Sequence, residues 1–166
     1  MSYKNENMKM IELHENGLDI RFRIRENGVV ELADFSSQEV KKAIMEPKED
    51  ICYPAVEIHR SGTGSLNMHA YKNNINQSSV DFVYENHELK AQDGGKELEI
   101  VMVSPEKLKA VYHMRLFHGV PAVQTWTEII NEGSEDQGLT YVSSFMYQGI
   151  SRGGEKPYYK KTDIYV

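Results

Sequence analysis

Leu18-Asp-Ile-Arg-Phe-Arg-Ile-Arg-Glu-Asn-Gly-Val-Val-Glu-Leu-Ala-Asp-Phe35 is the stretch whose reading decides the fold. Leu18, Ile20, Phe22 and Ile24 alternate strictly with Asp19, Arg21, Arg23 and Arg25. A period of two puts every second side chain on one face of a strand, so one face is buried and the other meets water. Glu26-Asn27-Gly28 follows, and Asn-Gly between apolar runs is the strongest short-range hairpin signal. Val29 to Phe35 is then the return strand. Upstream, Met10 to His14 reads as another strand, closed by Glu15-Asn16-Gly17, which makes the N-terminal part a β-meander.

Downstream the alternation pauses. Ser36 and Glu39 fit a capping box, and Val40, Ala43 and Ile44 have helical spacing until Pro47, so a short helix or turn is expected there. Tyr53 to Arg60 is extended, with Val56 and Ile58 on one face and Glu57 and His59 on the other. Ser61 to Ser65 and Asn73 to Ser79 are polar loops. Strands are expected at Val80–Glu85, Glu88–Gln92, Glu97–Val103, Leu108–Phe117, Ala122–Asn131 and Leu139–Tyr147, with Gly- and Pro-bearing turns between them. Leu108, Ala110, Tyr112, Met114 and Leu116 share one face, while Val111 and Phe117 lie on the other, which marks a central strand. Val120 to Gly149 reads as a hairpin or a corner between sheets and carries the only tryptophan, Trp126. The whole is an all-β, antiparallel β-sandwich with at most one or two short helices. Ile150 to Lys161 turns polar and Gly-rich, and Asp163-Ile164-Tyr165-Val166 looks like an incipient strand. Residues 1–166 are therefore expected to be one domain, unfinished at its C-terminal end.

Composition narrows the function. The chain has 166 residues and a net charge of −6, and its Lys41-Lys42 and Lys160-Lys161 pairs are isolated. Counterion release needs clustered cations, so no nucleic-acid partner is expected. Cys52 is alone and reads as a small buried hydrophobe, which points to no disulfide and a cytoplasmic setting. No apolar run approaches the ~20 residues of a membrane span, so no membrane is expected.

Sites are sparse. Ser61-Gly62-Thr63-Gly64 lacks the third glycine of a dinucleotide fingerprint and the Gly-Lys-Ser/Thr of a P-loop, so no cofactor is expected. His59, His69 and Lys72 gather around that loop as candidates for a polar, sugar-holding rim. No cysteine or third histidine completes a familiar metal spacing there, so no metal is expected. His113, mid-strand, reads as a hydrogen-bonded sheet histidine rather than a general base. Glu57, Asp81, Glu85, Glu97, Glu99 and Glu128 alternate with apolar residues, as on the water-facing side of a sheet, and no catalytic pair is assigned to them. Trp126, with Tyr112, Tyr141 and Phe145, is either a stacking platform for a sugar or packing.

Tyr53-Pro-Ala-Val-Glu-Ile-His59, the Gly-rich loop and Met68-His-Ala-Tyr-Lys72 resemble the "Pro-Leu-Val-Glu … Gly … His-His-Gly-x-Lys" region of bacterial glycoside hydrolase family 36 α-galactosidases. Leu98-Glu-Ile-Val101, Leu108-Lys-Ala-Val111 and Val120-Pro-Ala-Val-Gln-Thr-Trp-Thr-Glu-Ile-Ile-Asn-Glu-Gly133 continue the likeness. Leu139-Thr-Tyr-Val-Ser-Ser-Phe145 is similar to the family's "Leu-Glu-Tyr-Val-Ser-Ser-Phe". The pieces run in the same order from about Met10 to Ile150. His69 matches only one of the family's paired histidines, and Ala70 replaces a glycine.

The resemblance implies an N-terminal supersandwich of the galactose-mutarotase-like kind, which in that family precedes a catalytic (β/α)₈ barrel. A barrel needs ~250 residues with helices between its strands, so it is absent from this chain, and no catalytic aspartate carries over. The expected function is a non-catalytic domain of an α-galactosidase-like enzyme that hydrolyses terminal α-galactosides with retention. It would pack on the missing barrel, shape its pocket and support homo-oligomer contacts, and alone would not hydrolyse substrate. The alternatives are a free-standing carbohydrate-binding sandwich and a mutarotase-like epimerase using His59, His69 and Glu57.

Overall fold

The computed structural model describes residues 9–37, 53–63 and 77–147. The expected helix after Ser37, Cys52, His69, Lys72 and the C-terminal stretch from 148 onward lie outside the described residues. Strands β1 (Lys9–Glu15), β2 (Leu18–Ile24) and β3 (Val30–Ser37) form one antiparallel sheet in the order β1-β2-β3. Strands β5 (Val83–Gln92), β6 (Gly95–Val103), β7 (Leu108–Phe117) and β8 (Val123–Asn131) form a second, in the order β5-β6-β7-β8. Between them in sequence come β4 (Ile58–Arg60) and the single turn of α1 (Gln77–Val80); β4 pairs with β9 (Leu139–Val142) in a two-stranded sheet.

The two large sheets share one core. Ile11, Leu13, Ile20, Phe22 and Leu32 of the first sheet cluster with Leu98, Ile100, Met102, Ala110, Tyr112 and Met114 of the second. Phe22 and Tyr112 meet edge to face at 5.7 Å, a geometry that the ring quadrupoles favour. The expected inward face of β7, from Leu108 to Leu116, is buried throughout, and β7 is central, paired to β6 and β8. The all-β sandwich expected from the alternation is the fold observed. No helix among the described residues is long and apolar enough to cross a membrane.

The two Asn-Gly turns differ. Asn16 and Gly17 both have positive φ (52° and 81°), as a two-residue type I′ hairpin demands, and Glu15 pairs directly with Leu18. At Asn27-Gly28 only the glycine is left-handed, at φ 84°. Gly28 is also where the two sheets touch: Tyr84 donates its backbone N–H to Gly28 O, and a Cβ on Gly28 would stand 2.9 Å from Val83 Cβ. At the other end Asn16 straps the sheets together, its Nδ2 donating to Phe117 O and its Oδ1 accepting from Gly119 N.

Several boundaries differ from expectation. Ser36 does not cap a helix; it lies in β3, and its hydroxyl donates to the Asp34 carboxylate. The two strands expected at Val80–Glu85 and Glu88–Gln92 are one, β5, whose register shifts between Tyr84 and Asn86, leaving Glu85 as the extra residue. A bulge breaks the apolar alternation without ending the strand. The loop expected up to Ser79 ends in α1, whose serines face inward. Ser79 Oγ accepts from Ile58 N and donates to Ile58 O, and Ser78 Oγ accepts from Arg60 N. Those two hydroxyls stand in for a neighbouring strand along β4, satisfying buried backbone groups. The last strand stops at Val142, after which Phe145 and Tyr147 pack against Phe35.

Arg23, expected in water, is buried. Ala55 N donates to Val30 O and Tyr53 N to Glu31 Oε1, so the segment before β4 runs along the free edge of β3.

Candidate functional site

Two polar constellations stand out, one on each side of the second sheet. The first is built on β4. Ile58 is fully buried, so its neighbour His59 turns away from the core. His59 Nε2 lies 2.9 Å from Glu57 Oε1, and since a carboxylate accepts, that ring nitrogen donates. The ring tilts against Tyr141 of β9, with centroids 5.1 Å apart, and Tyr141 is itself half exposed. Glu57 was expected on a water-facing side and is buried instead; its backbone extends the pairing with β9, Glu57 N donating to Ser143 Oγ and Ser143 N to Glu57 O. A histidine held by a buried carboxylate beside an exposed aromatic ring is suited to hydrogen-bonding and stacking on a sugar. His69 and Lys72, the other rim candidates, are outside the described residues.

Next to it Arg60 reaches Asp81 Oδ2 at 3.1 Å and Glu106 Oε2 at 2.7 Å. Glu106 also borders a cleft of about 500 Å³ lined by Pro105, Lys107, Glu132, Ser134 and Glu135 among others. Burial alone would raise the Glu106 carboxyl. Hydrogen bonds from Arg60, its own backbone and Ser104, with the Arg60 charge, hold it below its ordinary 4.5 instead. A depressed folded value means that the unfolded chain binds the proton first. The contact's contribution is therefore complete above about pH 4.5 and is lost as pH falls through the lower folded value. The difference in melting temperature between the wild type and Glu106→Gln is expected to shrink from about pH 6 to about pH 3; a difference that does not change with pH would rule the assignment out.

The second constellation lies on the outer face of the second sheet. The β6–β7 register sets Glu99 opposite His113, and the β7–β8 register sets His113 opposite Trp126. The imidazole and indole stack face to face, with centroids 4.6 Å apart and planes 4° from parallel. His113 Nδ1 lies 2.9 Å from Glu97 Oε1 and 3.9 Å from Glu99 Oε1, and its Nε2 lies 3.8 Å from Glu128 Oε1. Glu97 was expected in water and is buried; Glu99 and Glu128 retain exposure. The imidazole Nδ1 thus lies within 4 Å of a carboxylate oxygen of both Glu97 and Glu99.

The aromatic residues weighed as a platform or as packing are divided. Tyr112 is in the core, where burial raises its phenol well above the usual range despite a hydrogen bond with Thr125. Phe145 packs on Phe35, and Tyr141 belongs to the His59 group. Thr127, on the opposite face of β8 from Trp126, donates to Ser143 O just past β9. His59 and Trp126 therefore sit on different sides of the sheet. Glu97, Glu99 and His113 were not recognised together in the sequence. Glu97-x-Glu99 is visible as a same-face pair, but only strand register brings His113 to it.

No protein-family model matches the chain, and no curated protein sequence matches it. Among solved structures it is similar to the GH36 alpha-galactosidase AgaA from Geobacillus stearothermophilus, with a TM-score of 0.53 at 13% identity over 76% of this chain. A doubly substituted form of the same enzyme in complex with raffinose gives a TM-score of 0.50 at 12% identity over 75% of the chain. The likeness is one of fold, and the chain spans 23% and 22% of those two structures.

Proposed function

We propose that this chain is a non-catalytic β-sandwich domain of an α-galactosidase-like glycoside hydrolase. In this reading it acts in the cytoplasm, packs on a (β/α)₈ barrel, shapes one wall of the sugar pocket and contributes to homo-oligomer contacts. The observation that carries the proposal is the sandwich's likeness to less than a quarter of AgaA while most of this chain is matched. Two features support it. The described residues hold strands and one helical turn rather than the alternating helices of a barrel. Glu97 and Glu99, a same-face carboxylate pair on the outer face, are both approached by the His113 imidazole.

The half-exposed Tyr141 over the His59–Glu57 pair favours a second reading, a carbohydrate-binding module that works without a barrel. Purified protein is expected to release no nitrophenol from an aryl α-galactoside above a no-protein control, and turnover would overturn the first reading. Titration of the same protein with raffinose separates the two readings. No heat signal is expected if the pocket wall needs the barrel. Binding that Tyr141→Ala abolishes, with the fold intact by circular dichroism, would transfer the assignment to the binding module.

A further inference from the structure

We propose that Glu97, Glu99 and His113 form a binding site for one divalent transition-metal ion of the zinc class on the outer face of the second sheet. The side-chain ligand atoms of these three residues all lie within 4.8 Å of one another. Ligands about 2.1 Å from a tetrahedral zinc ion stand about 3.4 Å apart. The two distances from His113 Nδ1, 2.9 Å to Glu97 Oε1 and 3.9 Å to Glu99 Oε1, bracket that value. One imidazole and two carboxylates make a three-ligand set that leaves a fourth position open, and an imidazole selects zinc-like ions over magnesium.

An independent observation concerns the ring itself. The His113 side chain is 9% exposed, and its Nε2 is buried with no hydrogen-bond partner. A buried polar atom without a partner is destabilising, and in the present geometry no group stands within hydrogen-bond distance of this one. With Nδ1 on a metal ion, the proton is fixed on Nε2, which faces Glu128 Oε1 at 3.8 Å. Metal-bound histidines donate their second N–H to a carboxylate in this way, and Glu128 needs a shift of less than an ångström.

The surrounding charges agree. Lys90 holds Glu99 by the other oxygen, Oε2, which leaves Oε1 turned to His113. Arg115, opposite Glu97, donates its Nη2 to Asp93 O. Three carboxylates thus surround one ring with a single ammonium on the group. Trp126 covers one face of the imidazole and fixes the ring's orientation by stacking.

Isothermal titration of the metal-free protein with Zn²⁺, repeated with Co²⁺ for its visible spectrum, tests the site. One equivalent is expected to bind, with the intense visible bands of tetrahedral cobalt and no binding of Mg²⁺. The near-isosteric variants Glu97→Gln and Glu99→Gln are each expected to weaken binding more than tenfold, and Glu128→Gln about tenfold. Circular dichroism and melting curves establish that each variant is folded. Failure of the folded wild type to bind Zn²⁺ would overturn the proposal. So would binding that survives unchanged in Glu97→Gln and Glu99→Gln, since the ion would then sit elsewhere.

Discussion

Glu31→Ala is expected to cost about 3–5 kcal/mol of stability, the scale on which a buried ion pair is broken from one side. Glu31 is 3% exposed, and its carboxylate serves three elements. Oε2 accepts from Arg23 Nε and Nη2, both at 2.9 Å. Oε1 accepts from Arg25 Nη1 at 3.1 Å and from the backbone N–H of Tyr53 at 2.9 Å. Alanine removes a counter-charge of a buried guanidinium and an anchor of the segment that runs along β3. Glu12→Ala on β1, at the far side of β2, makes the contrast. Its carboxylate is 48% exposed and, among the described residues, forms an ion pair with His14 alone, at 3.8 Å, so a change within about 0.5 kcal/mol is expected. Urea denaturation of the two variants measures both. A loss below about 1 kcal/mol for Glu31→Ala would show that the network is not buried as described.

Phe22→Ala is expected to cost a similar amount, about 3–5 kcal/mol, by another mechanism. Phe22 is fully buried where the sheets meet and lies edge-on to Tyr112. Truncation removes the apolar area and leaves a void that two hydrogen-bonded sheets cannot easily close. The aromatic pair adds about 0.5–1.5 kcal/mol beyond area. A fall of roughly 10 °C in melting temperature follows for a domain of this size, while Phe22→Leu, which keeps most of the volume, is expected to lose under about 1.5 kcal/mol. Calorimetry of both variants decides; equal losses would contradict a packing origin. The near-ultraviolet signal of Tyr112 should weaken in the alanine variant, because its ring loses its fixed neighbour.

Much of this architecture is legible in one dimension. The period-two runs of β2 and β7 name their own buried faces, and Asn16-Gly17 names its own turn, because each depends on residues adjacent in the chain. Legibility failed where a residue's environment is made by a distant segment. Arg23 and Glu57 occupy polar slots of alternating strands, and both are buried where segments remote in sequence meet: Tyr53 N–H reaches Glu31, the partner of Arg23, and Ser143 pairs with the Glu57 backbone. The single β5 was read as two strands because the bulge at Glu85 shifts the side-chain phase, which sequence alternation registers as a break. Of the rim candidates, His59 carries a defined partner in Glu57, and Trp126 lies on the other side of the sheet.

The same division holds for the chemistry. Local alternation determined that Glu97 and Glu99 share a face, that His113 lies in a central strand and that Trp126 follows on the next. Cross-strand register decided that the four side chains meet. Pairing partners are chosen by long-range hydrogen bonding and by the burial of each sheet's inner face, and a shift of one residue would have sent His113 into the core and Tyr112 outward. The strands and their faces belong to the sequence; the neighbours of each face, and with them the imidazole between two carboxylates, belong to the folded chain.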